Sequence, residues 1–206
     1  SEEVRPGMRL KTHWFRDATP RDPAQIANAL SSIVWRSADV RLKNMRRGNF
    51  EIAAGPHYLQ VLVELLVFLA VVADRIALRY QPAQWREAFT QALVRRVGEL
   101  LQDSFDDLLG PAPGGGYRKR FIDRFNLRCA EYAEFDYRAH GPEFALLRYC
   151  GELLTQALPE AEDRRWALDQ AMTVEGPECV DVVEKSMRGL LGLEPRPQRP
   201  RGEAGE

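Results

Sequence analysis

The sequence predicts an all-α protein, a single bundle of six or seven helices around one central apolar helix. Through most of the chain, apolar residues recur at steps of three or four, which is the spacing of amphipathic helices. Proline repeatedly precedes such stretches, and it suits a first helical turn, where the missing N–H costs nothing. No window alternates apolar and polar residues as a half-buried strand does. We therefore expect essentially no sheet.

Composition and charge limit the classes of protein that this chain can belong to. With 206 residues, 45% of them hydrophobic and 29% charged, it suits one globular domain and is not a disordered chain. The formal net charge of -1 means that nucleic acid or an anionic membrane would have to be met by a local patch. Cys129, Cys150 and Cys179 lack metal-site spacing, and no secretory signal opens the sequence, so we expect reduced thiols in a cytoplasmic protein.

The first helix has the clearest boundaries. Asp22 precedes Pro23 and can serve as N-cap, and Gln25 can reach back to close a capping box. Cations followed by glycine at residues 46 to 48 end the helix. Further helix starts are expected at Pro56, Pro82, Pro142, Pro159 and Pro177, and further ends at Gly110 and Gly192.

The second helix is apolar on nearly every side. From Tyr58 to Ala73, only Gln60 and Glu64 interrupt the apolar residues. A transmembrane helix needs about 20 apolar residues, and a glutamate inside it would be costly. The run is too short and too charged for that, so we expect the central helix of a globular bundle and no membrane partner.

The remaining elements follow the same spacing. Apolar steps predict a third helix over residues 85–108, a fourth over 121–132 and a fifth over 144–158, and then two shorter helices over 166–174 and 180–191. We expect residues 1–20 to form an extended arm, residues 21–193 the helical domain and residues 194–206 a disordered tail.

Glu64 and Arg75 are the buried polar candidates. They lie on one strip of the second helix, which is polar at both ends and apolar in the middle. A carboxylate taken out of water costs several kcal/mol unless it is paired, so Glu64 needs an arginine, a tyrosine hydroxyl or a ligand. It is either a satisfied core residue or a ligand-binding group in the bundle.

Metal-ligand spacings are mostly missing from the sequence. There is no Glu-x-x-His pair and no HExxH motif, and His13, His57 and His140 lie near helix boundaries, so we expect no cofactor. Two acidic pairs remain, Glu131-x-x-Glu134 and Glu160-x-x-Asp163. They resemble the carboxylate pairs of all-α nucleoside triphosphate pyrophosphatases, which implies, as an alternative, a Mg²⁺-dependent nucleotide phosphohydrolase. Acidic residues at a helix N-terminus explain the second pair equally well.

A loop rich in proline and glycine, residues 111–116, leads into the cations Arg118, Lys119 and Arg120. Cations in a first helical turn oppose the helix dipole unless an anion sits among the free N–H groups. These three residues are therefore an anion-binding candidate. A flexible linker into a solvated helix is the other interpretation.

The function that the sequence favours is non-catalytic. We expect a protein that binds another protein or forms a homodimer, because the bundle is too small to cover every apolar face of the second helix. Nucleic-acid binding is a weaker alternative and needs one shared surface for Arg46, Arg47, Arg95, Arg96, Arg118 and Arg120.

Overall fold

The computed structural model describes residues 21–47, 56–112, 114–138, 141–158 and 169–193. These residues form six α-helices, and the all-α prediction is confirmed. A π-helical turn, Ala171–Glu175, leads directly into the last of them. The helices are α1 (Pro23–Arg47), α2 (Pro56–Tyr80), α3 (Ala83–Leu109), α4 (Gly116–Tyr132), α5 (Phe144–Ala157) and α6 (Gly176–Leu190).

Helix boundaries follow the local signals of the sequence. Prolines open α1 and α2, precede α3 and α5, and lie in the first turn of α6. Asp22 caps α1, because its Oδ1 accepts a hydrogen bond from the N–H of Ala24 at 3.2 Å. Gly110 ends α3 with φ +77°, a conformation that glycine adopts at little cost. Pro159 lies outside the described residues.

Helix α2 is the centre of the bundle, since it packs against all five other helices. Every residue from 61 to 73 is buried, including Glu64. The apolar patch that we expected this helix to leave uncovered is therefore missing from this stretch. The exposed apolar side chains of α2 are Leu78 and Tyr80, near its C-terminal end.

Aromatic rings in contact join α2 to α4 and α5. The ring centroids of Phe68 and Tyr132 lie 6.0 Å apart, and Tyr132 meets the ring of Tyr149 edge-on at 5.4 Å. Edge-on and tilted pairs of this kind add about 0.5 to 1.5 kcal/mol to the burial itself. The contacts hold the three helices that surround the candidate site.

A two-residue antiparallel ladder lies between α4 and α5. Strand β1 (Tyr137–Arg138) pairs with β2 (Gly141–Pro142), with Tyr137 opposite Pro142. We expected essentially no sheet, and this ladder is the small departure. It arises because the chain reverses here, and Gly141, at φ +114°, takes a backbone conformation that other residues rarely adopt.

Several expectations fall on residues that the structure does not describe. They are the N-terminal arm, the C-terminal tail and residues 166–168, the start of the sixth predicted helix; its residues 169–174 are described and helical, with the π-helical turn beginning at Ala171. In the described ranges, no helix combines the length and the apolar character that a bilayer span requires.

We expect Phe68→Ala to lower the free energy of unfolding by about 3 to 5 kcal/mol, because the ring is fully buried where α2, α4 and α5 meet. Leu78→Ala on the same helix is the control, because Leu78 is half exposed and its truncation should cost less than about 1 kcal/mol. Urea unfolding of both variants measures the difference. Equal losses of stability in the two variants would contradict the burial of Phe68 where α2, α4 and α5 meet.

Candidate functional site

Glu64 meets two arginines of α4. Its side chain is only 8% exposed, and its two oxygens accept hydrogen bonds from Arg128 Nε at 3.1 Å and Nη2 at 2.9 Å. Arg124, one turn earlier, brings its Nη1 to 3.3 Å from Glu64 Oε1. The two-pronged pairing with Arg128 matches the planar guanidinium to the planar carboxylate. The buried carboxylate thus has the partners that its position demands.

Arg128 carries a second carboxylate on its other side. Its Nη1 lies 2.7 Å from Glu131 Oε2, and the Tyr149 hydroxyl of α5 donates to the same oxygen. Hydrogen bonding to Glu64 raises the pKa of Arg128 above its ordinary value, although burial opposes this. Glu64, Arg128, Glu131 and Tyr149 therefore form one connected network, which ties α2, α4 and α5 together.

The same hydrogen bonds shift the acidities of Glu131 and Tyr149 in opposite directions. Burial alone would raise the pKa of Glu131, but the hydrogen bonds from Tyr149 and Arg128 outweigh it and lower that pKa below its ordinary value. Burial, and then the hydrogen bond to Glu131, raises the pKa of Tyr149 to about 12. At neutral pH, the carboxylate is charged and the phenol is neutral.

An open cleft adjoins this network between α2, α4 and α5. Its volume is about 200 Å³. Three of its lining residues are arginines spaced four apart on α4, so they share one face of that helix. Against three guanidinium groups, the lining holds one carboxylate, that of Glu64, and Glu131 pairs with Arg128 from outside the lining, so the local charge is +1. We call this space the arginine cleft, and its lining is Gln60, Val63, Glu64, Arg120, Arg124, Arg128, Leu153, Gln156 and Ala157.

The three arginines are not equally engaged. Arg128 is 13% exposed and is held by Glu64 and Glu131. Arg124 is 38% exposed, and its ion pair is a single contact with Glu64. Arg120 is exposed and forms no ion pair with any residue in the described parts of the chain. Arg124 and Arg120 therefore keep most of their N–H donors for a ligand, whereas Arg128 uses three of its five on Glu64 and Glu131.

A second cavity, of about 330 Å³, lies on the other side of Arg120 and Arg124. Its lining also includes Asp123, which pairs with Lys119, Leu127, which is 53% exposed, and the glycines at the start of α4. The two arginines thus form the wall between two solvent-accessible spaces. A ligand held by them has room on both sides.

Arg75 does not share a site with Glu64. Its Nη2 donates to the backbone carbonyl of Tyr132 at 3.0 Å, the last residue of α4. A cation at this end of a helix satisfies a free carbonyl and favours the helix dipole. Arg75 therefore caps α4 at a different height along α2.

Of the three cations proposed to bind an anion, only Arg120 lines the arginine cleft. Arg118 lies 3.9 Å from Glu99, and Lys119 lies 2.6 Å from Asp123. Gln102 of α3 accepts the N–H of Arg118 at 2.9 Å, so a side chain of the protein occupies the start of α4. The expected grouping of all three around one anion is not seen.

Glu131 already accepts hydrogen bonds from Arg128 and Tyr149, and Glu134 is an exposed residue of the turn after α4. Glu160 and Asp163 lie outside the described residues. Among those that are described, no group of three or more His, Cys, Asp or Glu side chains is placed to hold a metal. The phosphohydrolase alternative stays a prediction.

Part of the arginine set proposed for nucleic acid can be located. Arg96 and Arg118 share the carboxylate of Glu99, at 3.1 and 3.9 Å. Arg95 lines a separate groove between α3 and α4, and the side chains of Arg46 and Arg47 lie outside the described residues. Nucleic-acid binding also stays a prediction.

Sequence reasoning missed Arg124 and Arg128. The signal was the four-residue spacing of residues 120, 124 and 128, which places three cations on one helix face.

No family model, no curated protein and no solved structure matches this chain. The function is therefore argued from the geometry of the site.

We expect Glu64→Gln to lower the free energy of unfolding by about 3 kcal/mol, because it leaves the buried side of Arg128 without its counter-charge. Glu152→Gln on α5 is the matched control, since Glu152 pairs with Arg148 at the surface and should contribute no more than about 0.5 kcal/mol. Urea unfolding near pH 7 measures both variants. A Glu64 variant as stable as the control would contradict the pairing.

We expect Tyr149→Phe to raise the pKa of Glu131, because it removes one donor to the carboxylate. The pKa of Glu131 in the fold lies below its ordinary value of 4.5. Its charge therefore stabilises the fold fully above that pH, and the contribution is lost as the pH falls through the lowered pKa. In the variant, the contribution of Glu131 is smaller, and its loss is complete at a higher pH. Carbon-detected NMR titration of the Glu131 carboxyl measures the change, and Tyr80→Phe, at an exposed position, should leave that titration unchanged.

Proposed function

We propose that this chain is a non-catalytic helical protein that binds another protein, and that its arginine cleft receives an acidic segment of the partner. The observation that carries the proposal is the surplus of positive charge around a fixed, buried carboxylate, three arginines against Glu64 and Glu131, in a chain whose net charge is -1. Charges held in place across an interface select a complementary partner and speed its association.

The surface next to the cleft has the composition of a protein interface. Leu127 follows Arg120 and Arg124 on the same side of α4 and lines the adjoining cavity with them. Protein interfaces are enriched in arginine, and their centres are apolar. We call Arg120, Arg124 and Leu127 the α4 face. It fits a partner segment that presents acidic groups beside an apolar side chain.

The size of the cleft supports a side chain as its occupant. At about 200 Å³, it is smaller than the 300 to 1,000 Å³ that is usual for drug-sized ligands. One or two acidic side chains reach into such a space while the rest of the partner stays on the surface. The free thiols of Cys129, Cys150 and Cys179 support a reducing compartment, so we propose a cytoplasmic partner.

The test is site-specific photo-crosslinking in the cells that make this protein. We expect a cross-linking amino acid at position 127 to capture one partner, and the same group at Val40, an exposed position on α1, to capture none. The double variant Arg120→Glu and Arg124→Glu should abolish that product, because it reverses the charge that the partner meets. Circular dichroism checks that the variant stays folded.

Two outcomes would overturn this proposal. One is a product at position 127 that survives the charge reversal or forms equally at position 40. The other is a product that mass spectrometry identifies as a covalent dimer of this chain, accompanied by a dimeric mass in sedimentation. The second result would make a second copy the occupant and replace a separate partner by self-association.

A further inference from the structure

We infer that the acidic group bound in the arginine cleft is a phosphate monoester, held by Arg120 and Arg124. The inference rests on the proposed function only in using the same cleft. It holds whether the phosphate is carried by a protein side chain or by a small molecule. Four observations lead to it: the engagement of each arginine, their spacing, the polar groups nearby and the size of the cleft.

The first observation is that the network around Glu64 leaves two guanidinium groups with donors to spare. Arg128 is bound on both sides, by Glu64 and by Glu131. An arginine has five N–H donors. Arg124 has one ion-pair contact, with Glu64 Oε1, and Arg120 has none with the described residues. Most of their donors are therefore available to a ligand.

The second observation is the spacing of these two arginines. Arg120 and Arg124 lie one helical turn apart on the same face of α4. A carboxylate has two oxygens in one plane, which match a single guanidinium in a two-pronged pair. A phosphate monoester has three terminal oxygens around a tetrahedral centre, so it accepts hydrogen bonds from two guanidinium groups at once. At pH 7, its charge is about -1.5 to -2, against -1 for a carboxylate.

The third observation is that Glu64 positions the arginines without occupying the cleft. Its Oε1 contacts both Arg128 and Arg124, at 2.9 and 3.3 Å. Fixing one edge of Arg124 leaves the other edge for the ligand. Gln60 and Gln156 add amide groups to the lining. Glu64 is therefore a positioning residue, and Arg120 and Arg124 are the binding residues.

The fourth observation is size. The cleft, of about 200 Å³, accepts a phosphate and the few atoms that carry it but is small for a nucleotide. The second cavity beyond Arg120 and Arg124 leaves room for the chain to which the phosphate is attached. The ligand class is thus a terminal phosphate monoester at the end of a longer group.

The experiment titrates the full chain with phenyl phosphate at pH 7.5 and constant ionic strength, followed by calorimetry or NMR. Phenyl sulfate is tetrahedral with a single charge, and benzoate is planar with a single charge. We expect phenyl phosphate to bind at least ten-fold more tightly than either. Lowering the pH from 7.5 to 5.5 should weaken the binding of phenyl phosphate and leave the binding of phenyl sulfate unchanged, because the second pKa of a phosphate monoester is about 6.

Matched variants assign the binding to the two arginines. Arg120→Gln and Arg124→Gln should each lower the affinity for phenyl phosphate at least ten-fold. Arg148→Gln, at an exposed arginine of α5, should change the affinity less than two-fold. Arg120→Gln is the decisive variant, because that side chain is exposed and its replacement breaks no ion pair among the described residues.

A comparison of ligands distinguishes the two sources of the phosphate. If a phosphoserine peptide binds at least ten-fold more tightly than free phosphoserine, the group is carried by a protein; equal affinities indicate a small molecule. Phenyl phosphate that binds no more tightly than phenyl sulfate, or that binds Arg120→Gln and Arg124→Gln unchanged, would overturn the inference. A cross-link at position 127 that depends on the two arginines, in a protein that does not prefer phenyl phosphate over phenyl sulfate, would reject the phosphate inference and leave the protein partner in place. Phosphate binding without a cross-linked protein would reject only the protein partner.

Discussion

The burial of one carboxylate, that of Glu64, sets the arrangement of three helices. Glu64 lies on α2, which all five other helices contact, and its side chain is only 8% exposed. A buried carboxylate costs several kcal/mol unless a cation meets it, and Arg128 of α4 does so with two hydrogen bonds. This pairing fixes the height and rotation of α4 on α2. Arg128 in turn engages Glu131, and Glu131 engages Tyr149 of α5.

The cationic lining of the cleft follows from that pairing. Since Arg128 must face α2, the residues four and eight positions earlier face nearly the same way, and both are arginines. A second network provides the contrast. Asp74 of α2 accepts three hydrogen bonds, from Arg86 at 2.9 and 2.6 Å and from Thr90 at 2.6 Å. Both networks join α2 to another helix, and that of Glu64 adjoins a cleft lined with further cations.

The sequence predicts the parts of this structure that depend on near neighbours in the chain. Proline positions and apolar spacing predict the helix boundaries and the central place of α2, because both signals act within a few residues. The need of Glu64 for a partner is also visible. The identity of that partner is not visible in the sequence, because Arg128 is 64 residues away from Glu64 and the chain has twenty-four other arginines. The sequence pattern groups Arg75 with Glu64 because one strip of α2 carries both. In the structure, Glu64 contacts Arg128 within α4, whereas Arg75 contacts Tyr132 at the end of α4.

Helix α4 carries charges that its own stability does not favour. Its first turn holds Arg118 and Lys119 and no acidic residue, which opposes the helix dipole. Arg120, Arg124 and Arg128 form two like-charged pairs at four-residue spacing, each unfavourable by about 0.2 to 0.5 kcal/mol. Glu64 and Glu131 compensate the charge of Arg128, and Glu64 compensates Arg124 in part. An anion on Arg120 and Arg124 removes the remaining repulsion, so its binding stabilises the helix as well as the complex.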